Sequence, residues 1–361
     1  MRPDILELDL SAETFRRDVS LTLQDVEAVR LLLTGGSVVD WQRANFVDIA
    51  SVDRFLGLMH LGIQVPRNRV RLRYVYNEAV SYLEEHLKLR FPPELRNPKD
   101  VREVFVWASL DTPSRRQTLS CVILKVMHVI MHMESADLKF RTPISEHRLI
   151  ALANAQILAA ASRMRAEGHP VLSFYGSEKS RSSLITKLLA KAENVAATVF
   201  DKLRFRIIVP ERDDIVPTIR YLCQHVLPYN YAIPRQSHNT LVDKSMLEHW
   251  FQQSSQVSNQ DGVTAIKQPA NHHSGTTYRT VNFIVDFPVR VPESALVGDT
   301  MALGHTVFVL VEFQIVDEET ARTNEQGENA HALYKGRQER SVAQRLQQGG
   351  LQTSLPSDQN H

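Results

Sequence analysis

Apolar residues recur at helical spacing through the first half of the chain, and the second half turns to β-branched and aromatic runs. Residues 20–34 start at Ser20 or Thr22, set Leu23, Val26, Val29 and Leu33 on one face, and stop at Gly35-Gly36. The same period marks 51–62, 70–88, 99–108 and 114–133, with Pro92-Pro93 and Asn97-Pro98 punctuating a loop between them. Residues 144–166 form the clearest helix, with Ser145 as cap and an Ala-rich face suited to close packing; Gly168-His169-Pro170 ends it. The pattern predicts an all-helical N-terminal domain over 1–167, a second domain over 168–346 and a disordered tail over 347–361. In the second domain a polar turn at 176 leads into a helix, and strands are predicted over 203–209, 281–289 and 307–315, with a helix over 212–226. The stretch 235–274 is polar apart from a short helix around 246–251 and reads as a lid or an insertion, and the chain is helical again from Tyr334 to Leu346.

The last predicted strand carries a carboxylate and an amide inside an apolar run. Strand side chains alternate, so Glu312 and Gln314 share one face while Phe313 and Ile315 share the other. A buried carboxylate is costly unless paired or bound to a metal, which marks that face as the lining of a site. Lys179, Ser183 and Lys187 recur four apart near the start of a helix, an arrangement suited to a triphosphate; the solvated face of an amphipathic helix is the alternative.

Composition narrows the classes. In 361 residues, 43% of them hydrophobic, 42 Lys and Arg nearly balance 41 Asp and Glu. A sizeable core is expected, with no overall field drawing the chain to DNA or to a membrane. No apolar run of bilayer length and no secretory leader is read, so a cytoplasmic location is expected. Cys121 and Cys223 lack ligand spacing and read as buried thiols. No phosphate-binding loop with Gly-Lys-Ser/Thr and no dinucleotide fingerprint is present. His128 and His132 have the spacing of a metal-ligand pair, but on an apolar helix the core reading is favoured.

The closing segment resembles a known family. Glu312, Gln314, Ile315, Glu325, Gly327, Ala330, His331, Tyr334 and Lys335 match, without a gap, the last motif of the RelA/SpoT-type (p)ppGpp synthetase domain; Val316 and Asp317 stand where the family has Arg-Thr. Gly176, Lys179, Ser183 and Lys187 match a second motif, with Ser177 in the place of an arginine that Arg181 would replace. Asp201 and Arg206 match a third, with Lys202 in place of leucine. In the fourth, Gly275 matches, but Thr276 and Thr280 replace the family's base-stacking tyrosine and its histidine; Tyr278 and Arg279 are able to stack on a base from shifted positions, and the alternative is that Tyr278 is a strand residue only. No His-Asp dipeptide of the family's hydrolase domain occurs.

The resemblance covers about 171–340 and implies an α/β fold, a mixed twisted sheet of nucleotidyltransferase-like type preceded by the all-helical N-terminal domain. It implies Mg²⁺-dependent transfer of the β,γ-pyrophosphate of ATP to a ribose 3′-hydroxyl of GDP, GTP or another nucleotide, the reaction that makes (p)ppGpp. Lys179, Ser183 and Lys187, with Arg206, would hold the ATP phosphates. Asp201 and Glu312 would bind magnesium, and Glu312 would accept the hydroxyl proton. Gln314 and His331 read as supporting residues. Homo-oligomers are compatible with this reading. Two alternatives stay open: the same chemistry on another nucleotide or an RNA end, and a degenerate, non-catalytic module that binds a nucleotide or a protein.

Overall fold

The computed structural model describes residues 23–34, 46–110, 114–190, 202–248 apart from 229–230, 234–235 and 244, 278–325 apart from 297, and scattered positions between 336 and 346. The first half is helical: α1 (Leu23–Thr34), α2 (Ile49–Leu58), α3 (Pro66–Glu85), α4 (Pro93–Arg96), α5 (Arg102–Ala108), α6 (Arg115–Arg141) and α7 (Glu146–Ala166). Side-chain caps set several starts. Asp48 and Ser51 form a reciprocal capping box on α2, Ser114 accepts from the Gln117 amide at 3.1 Å, and Ser145 accepts from the Arg148 amide at 3.2 Å.

The second half holds β1 (Ser173–Glu178), α8 (Arg181–Ala190), β2 (Leu203–Val209), α9 (Ile215–His225), β3 (His238–Asn239), β4 (Val281–Arg290), β5 (Thr306–Asp317) and α10 (Glu318–Asn324). The strands form one mixed sheet in the order β1-β2-β5-β4-β3, with β2 and β5 parallel and the other neighbours antiparallel. An all-helical region leading into a mixed, open, nucleotidyltransferase-like sheet is the fold class expected from sequence.

Four elements differ from expectation, the first being the single turn α4, Pro93–Arg96, inside what reads as a loop. The segment at 176 is a strand, because β1 pairs with β2 from Ser173↔Ile208 to Glu178↔Leu203; its small and polar residues hide a strand whose apolar anchor is Phe174 alone. The polar stretch after 235 contributes the two-residue strand β3. Helix α6 runs on to Arg141 and, contrary to the expectation of no such run, is long and apolar enough to cross a membrane by length and composition. Its buried positions, among them Leu119, Ile123, Leu124, Met127 and Leu138, pack it against α3, α5 and β5 as a core helix.

One face of the sheet is aromatic. Phe205 stacks on Phe313 with ring centroids 5.7 Å apart, and Phe283 on Phe313 at 5.6 Å, on strands paired in register. Helix α7 crosses this face against β1, β4 and β5. Gly176 lies at the closest approach, where a Cβ would stand 2.7 Å from Asn154 Oδ1 and 2.8 Å from Phe205 Cε1. The core is continuous from Val26 in α1 to Ala321 in α10. Polar ties join helices to strands as well: Thr306 Oγ1 donates to Met59 O at 3.2 Å, and the Phe308 amide donates to Ser135 Oγ at 3.1 Å.

His128 and His132 belong to this core. His128 is 4% exposed, with its ring 4.4 Å from that of Tyr231; His132 stacks on Phe308 at 4.6 Å, and its Nδ1 lies 3.6 Å from Asp286 Oδ2 on β4. Burial pushes His132 down to about 4 and, with His132 beside it, His128 down to about 3. Burial pushes the Asp286 carboxyl up to about 6, with Lys139 acting in the opposite direction.

Two outcomes follow from this packing. Gly176→Ala is expected to cost about 1–3 kcal/mol in urea unfolding, and Asn154→Ala in the same chain to return part of it. The pH dependence comes from the buried cluster. The depressed histidines lose stability as pH falls below their unfolded value, whereas the raised Asp286 gains it as pH falls through about 6. Between about pH 4 and 6 the unfolded chain thus holds two protons on the imidazoles, against one on Asp286 in the folded chain, so stability rises by about 1.4 kcal/mol per pH unit from this cluster. His132→Phe leaves one proton on each side and is expected to flatten that slope in denaturant titrations across this range.

Candidate functional site

On the other face α6 covers the Phe308 end of β5, and the part around Glu312 is polar, laid out by pairing in two rows. Ser177, Arg204, Glu312 and Ile284 stand opposite one another across β1, β2, β5 and β4. One step along, Tyr175, Arg206, Gln314, Asn282 and His238 form the second row, reaching β3. As expected, Glu312 and Gln314 share this face while Phe313 and Ile315 point into the core.

Glu312 is 4% exposed and surrounded by donors. Arg204 Nε donates to its Oε2 at 2.8 Å; Asn282 Nδ2 and Gln314 Nε2 donate to its Oε1 at 2.5 and 3.2 Å. The guanidinium compensates the buried charge, and the two amides fix its plane. Beside this group Arg206 Nη2 lies 3.6 Å from Glu325 Oε1, and is buried without a hydrogen bond. Burial pushes the Tyr175 phenol up, Arg206 counters it, and Glu325 and Tyr278 are near enough to contribute. Tyr278, Tyr175, Arg206 and Glu325 therefore form one cluster at the edge of the polar face.

The remaining predicted residues are spread more widely. Lys179 stands before α8, its amide donating to Lys202 O at 3.0 Å, so it does not share a helix face with Ser183 and Lys187 as the spacing implied. The β1 pairing carries the chain straight through Lys179 before the helix begins. Ser180 starts α8, its hydroxyl accepting from the Ser183 amide at 3.3 Å and lying 3.0 Å from Ser183 Oγ. Ser183 and Lys187 are one turn apart on α8; Arg181 is exposed at its first position, and the Lys187 side chain lies outside the described residues. So do Asp201, Gly275, Thr276, Gly327, Ala330, His331, Tyr334 and Lys335.

Arg279 is exposed, and Asn324 clamps its backbone: Asn324 Oδ1 accepts from the Arg279 amide at 3.1 Å, and Nδ2 donates to its carbonyl at 2.6 Å. It borders a cleft of about 410 Å³ at the carboxyl ends of β2 and β5, with Arg212, Asp317, Thr320 and Asn324 also on its walls. Two of the departures from the family motif have structural roles. Asp317 caps α10, accepting from the Thr320 amide at 2.8 Å and from Thr320 Oγ1 at 2.6 Å. Thr280, in place of the histidine, is 2% exposed and ties β4 to Thr240, whose Oγ1 accepts from the Thr280 amide at 2.8 Å.

Among the described residues, no three His, Cys, Asp or Glu side chains come together as a metal site. Both oxygens of Glu312 accept from donors, and the nearest charge is the Arg204 guanidinium, which repels a cation. In this arrangement the described residues do not fit a magnesium ion.

Sequence reading missed Arg204, Asn282 and Tyr175. Arg204 alternates with Arg206 in Leu-Arg-Phe-Arg-Ile, and that two-residue period could have put both on one face. Its partner lies 108 residues away, and Asn282 is apart from both; only the sheet register joins them.

No family model and no curated sequence matches the chain. Among solved structures it is similar to the small alarmone synthetase 1 from Bacillus subtilis bound to its product pppGpp, at 15% identity and a TM-score of 0.33, over 56% of this chain and 88% of that one. It is similar to the small alarmone synthetase 2 from Bacillus subtilis at 15% identity and a TM-score of 0.29, over 57% and 96%. A GTP pyrophosphokinase family protein from Streptococcus pneumoniae is similar at 12% identity and a TM-score of 0.28, over 56% and 84%. Values at this level assign neither a residue nor an activity to the chain.

Proposed function

We propose that the chain is a nucleotide pyrophosphokinase of the RelA/SpoT-like kind, which binds ATP over the polar face of its sheet and moves pyrophosphate to the 3′-hydroxyl of a second nucleotide. One observation carries this reading. A buried carboxylate, Glu312, is oriented by amides and paired with Arg204 on an otherwise well-packed sheet, at the position where the resemblance puts the acid of the reaction.

In the proposed reaction the acceptor oxygen attacks the β-phosphorus of ATP. A new oxygen–phosphorus bond forms, the bond from that phosphorus to the α,β-bridging oxygen breaks, and AMP leaves with its electron pair. The hydroxyl proton passes to Glu312 and from there to solvent. Lys179, Ser183, Lys187 and Arg206 hold the phosphates, while Tyr278 and Arg279 face the acceptor base. A magnesium ion would need Asp201 beside Glu312, and would supply charge neutralisation on the phosphates. The work of the protein is position and charge. The small-molecule partners and a cytoplasmic setting belong to the same proposal.

A second reading, a nucleotide-binding module without transfer, is favoured by a specific observation: Arg204, Asn282 and Gln314 already occupy both oxygens of Glu312.

The test is incubation with Mg²⁺ and γ-labelled ATP, with GDP, GTP, other nucleotides and bulk tRNA offered as acceptors. Label is expected on an acceptor nucleotide, reduced at least about 100-fold by Glu312→Gln and by Asp201→Asn. ATP binding by calorimetry without transfer to any acceptor would establish the second reading. No binding by folded protein would sink both.

A further inference from the structure

The hydrogen bonds around Glu312 pose a chemical problem. Its Oε1 accepts from two amides and is filled, so the site left for an incoming hydroxyl is on Oε2, the oxygen that Arg204 holds. The three donors are not equally movable. Asn282 and Gln314 are short side chains on strands paired from end to end, and Gln314 is 9% exposed. The Arg204 side chain is long and 32% exposed, whereas that of Glu312 is 5% exposed. Arg204 therefore covers Glu312 from the solvent side, where a nucleotide would arrive. A phosphate offers a guanidinium a bidentate, more highly charged partner than a single carboxylate oxygen.

We propose that Arg204 is a phosphate-operated latch on Glu312: a nucleoside polyphosphate arriving on the polar face draws the guanidinium off Oε2, and that oxygen then takes the hydroxyl of the second nucleotide. The inference rests on the proposed function above and adds an order of events. With Arg204 seated, Glu312 is closed to water and acceptors alike; with Arg204 on phosphate, the chain neutralises the donor and opens the acid in one movement. The latch is specific for phosphate, so a nucleoside lacking phosphates leaves it closed. Ser177, opposite Arg204 on β1, leaves room on that side for the swing, because a serine side chain is short.

Arginine side chains labelled with ¹⁵N test this on the intact protein, with the Arg204 Nε–H signal assigned by its loss in Arg204→Lys. In the free protein that signal is expected at the shift of a carboxylate-bonded Nε–H, and to move in Glu312→Gln. Saturating ATP, or its analogue with a methylene between the α- and β-phosphates, is expected to move it; adenosine is not. Calorimetry in parallel is expected to give about tenfold weaker ATP binding for Arg204→Gln, with adenosine binding unchanged and Arg204→Lys intermediate. An Arg204 signal that stays in place while other signals report bound ATP would overturn the latch and leave nucleotide binding standing. Equal loss of ATP and adenosine affinity in Arg204→Gln would make Arg204 a structural residue only. Absence of any ATP binding would overturn the latch together with the function it serves.

Discussion

Phe205, Phe313 and Phe283 stack across three neighbouring strands, and that ladder determines what the opposite face can be. Each ring is fully buried, a contribution of about 2–3 kcal/mol of transfer free energy apiece. A slip of one residue in β2 or β5 would expose a phenylalanine and drive Arg204 or Glu312 into α7, so the register is heavily favoured. Polar side chains gathered from five strands are thus aligned by apolar residues that never touch a ligand. The aromatic face supplies the energy and the polar face inherits its geometry.

The Arg204–Glu312 pair has a different character. Desolvation of the two charges offsets much of their attraction, so a pair of this kind adds little net stability. Its value is in orientation. With Asn282 and Gln314 it holds one carboxylate in one plane at the centre of the sheet, where an unpaired charge would be intolerable. The same burial operates in the core, where His132 and Asp286 meet without forming a neutral-pH ion pair: both groups are shifted toward their uncharged forms.

The longer helices, three of the strands and the facing of Glu312 were legible in the sequence because each rests on local period and local caps. Ser145 before α7 and the alternation Glu312-Phe313-Gln314-Ile315 are signals contained within a few residues. Strand β1 was not legible, since Gly176 and Ser177 carry the composition of a turn; Gly176 is dictated by Asn154 on a helix that crosses it, which no local pattern encodes. The site was legible in part. Glu312 announced itself as an acid within an apolar run, but its immediate partners come from Arg204 and Asn282, and a long-range register has no local signature.

The parallel pairing of β2 with β5 has a further consequence, in time rather than in space. Arg204 and Glu312 are separated by 108 residues, and β3 and β4 lie between them in the chain although β5 lies between β2 and β4 in the sheet. During synthesis β2 emerges with β1 as its one antiparallel neighbour, and its other edge stays open until β5 arrives to pair with both β2 and β4. Closing so long a loop is slow. The polar face is therefore completed last, when β5 joins the β1–β2 pair to β4, and a ribosome-bound chain that ends before β5 has neither row whole.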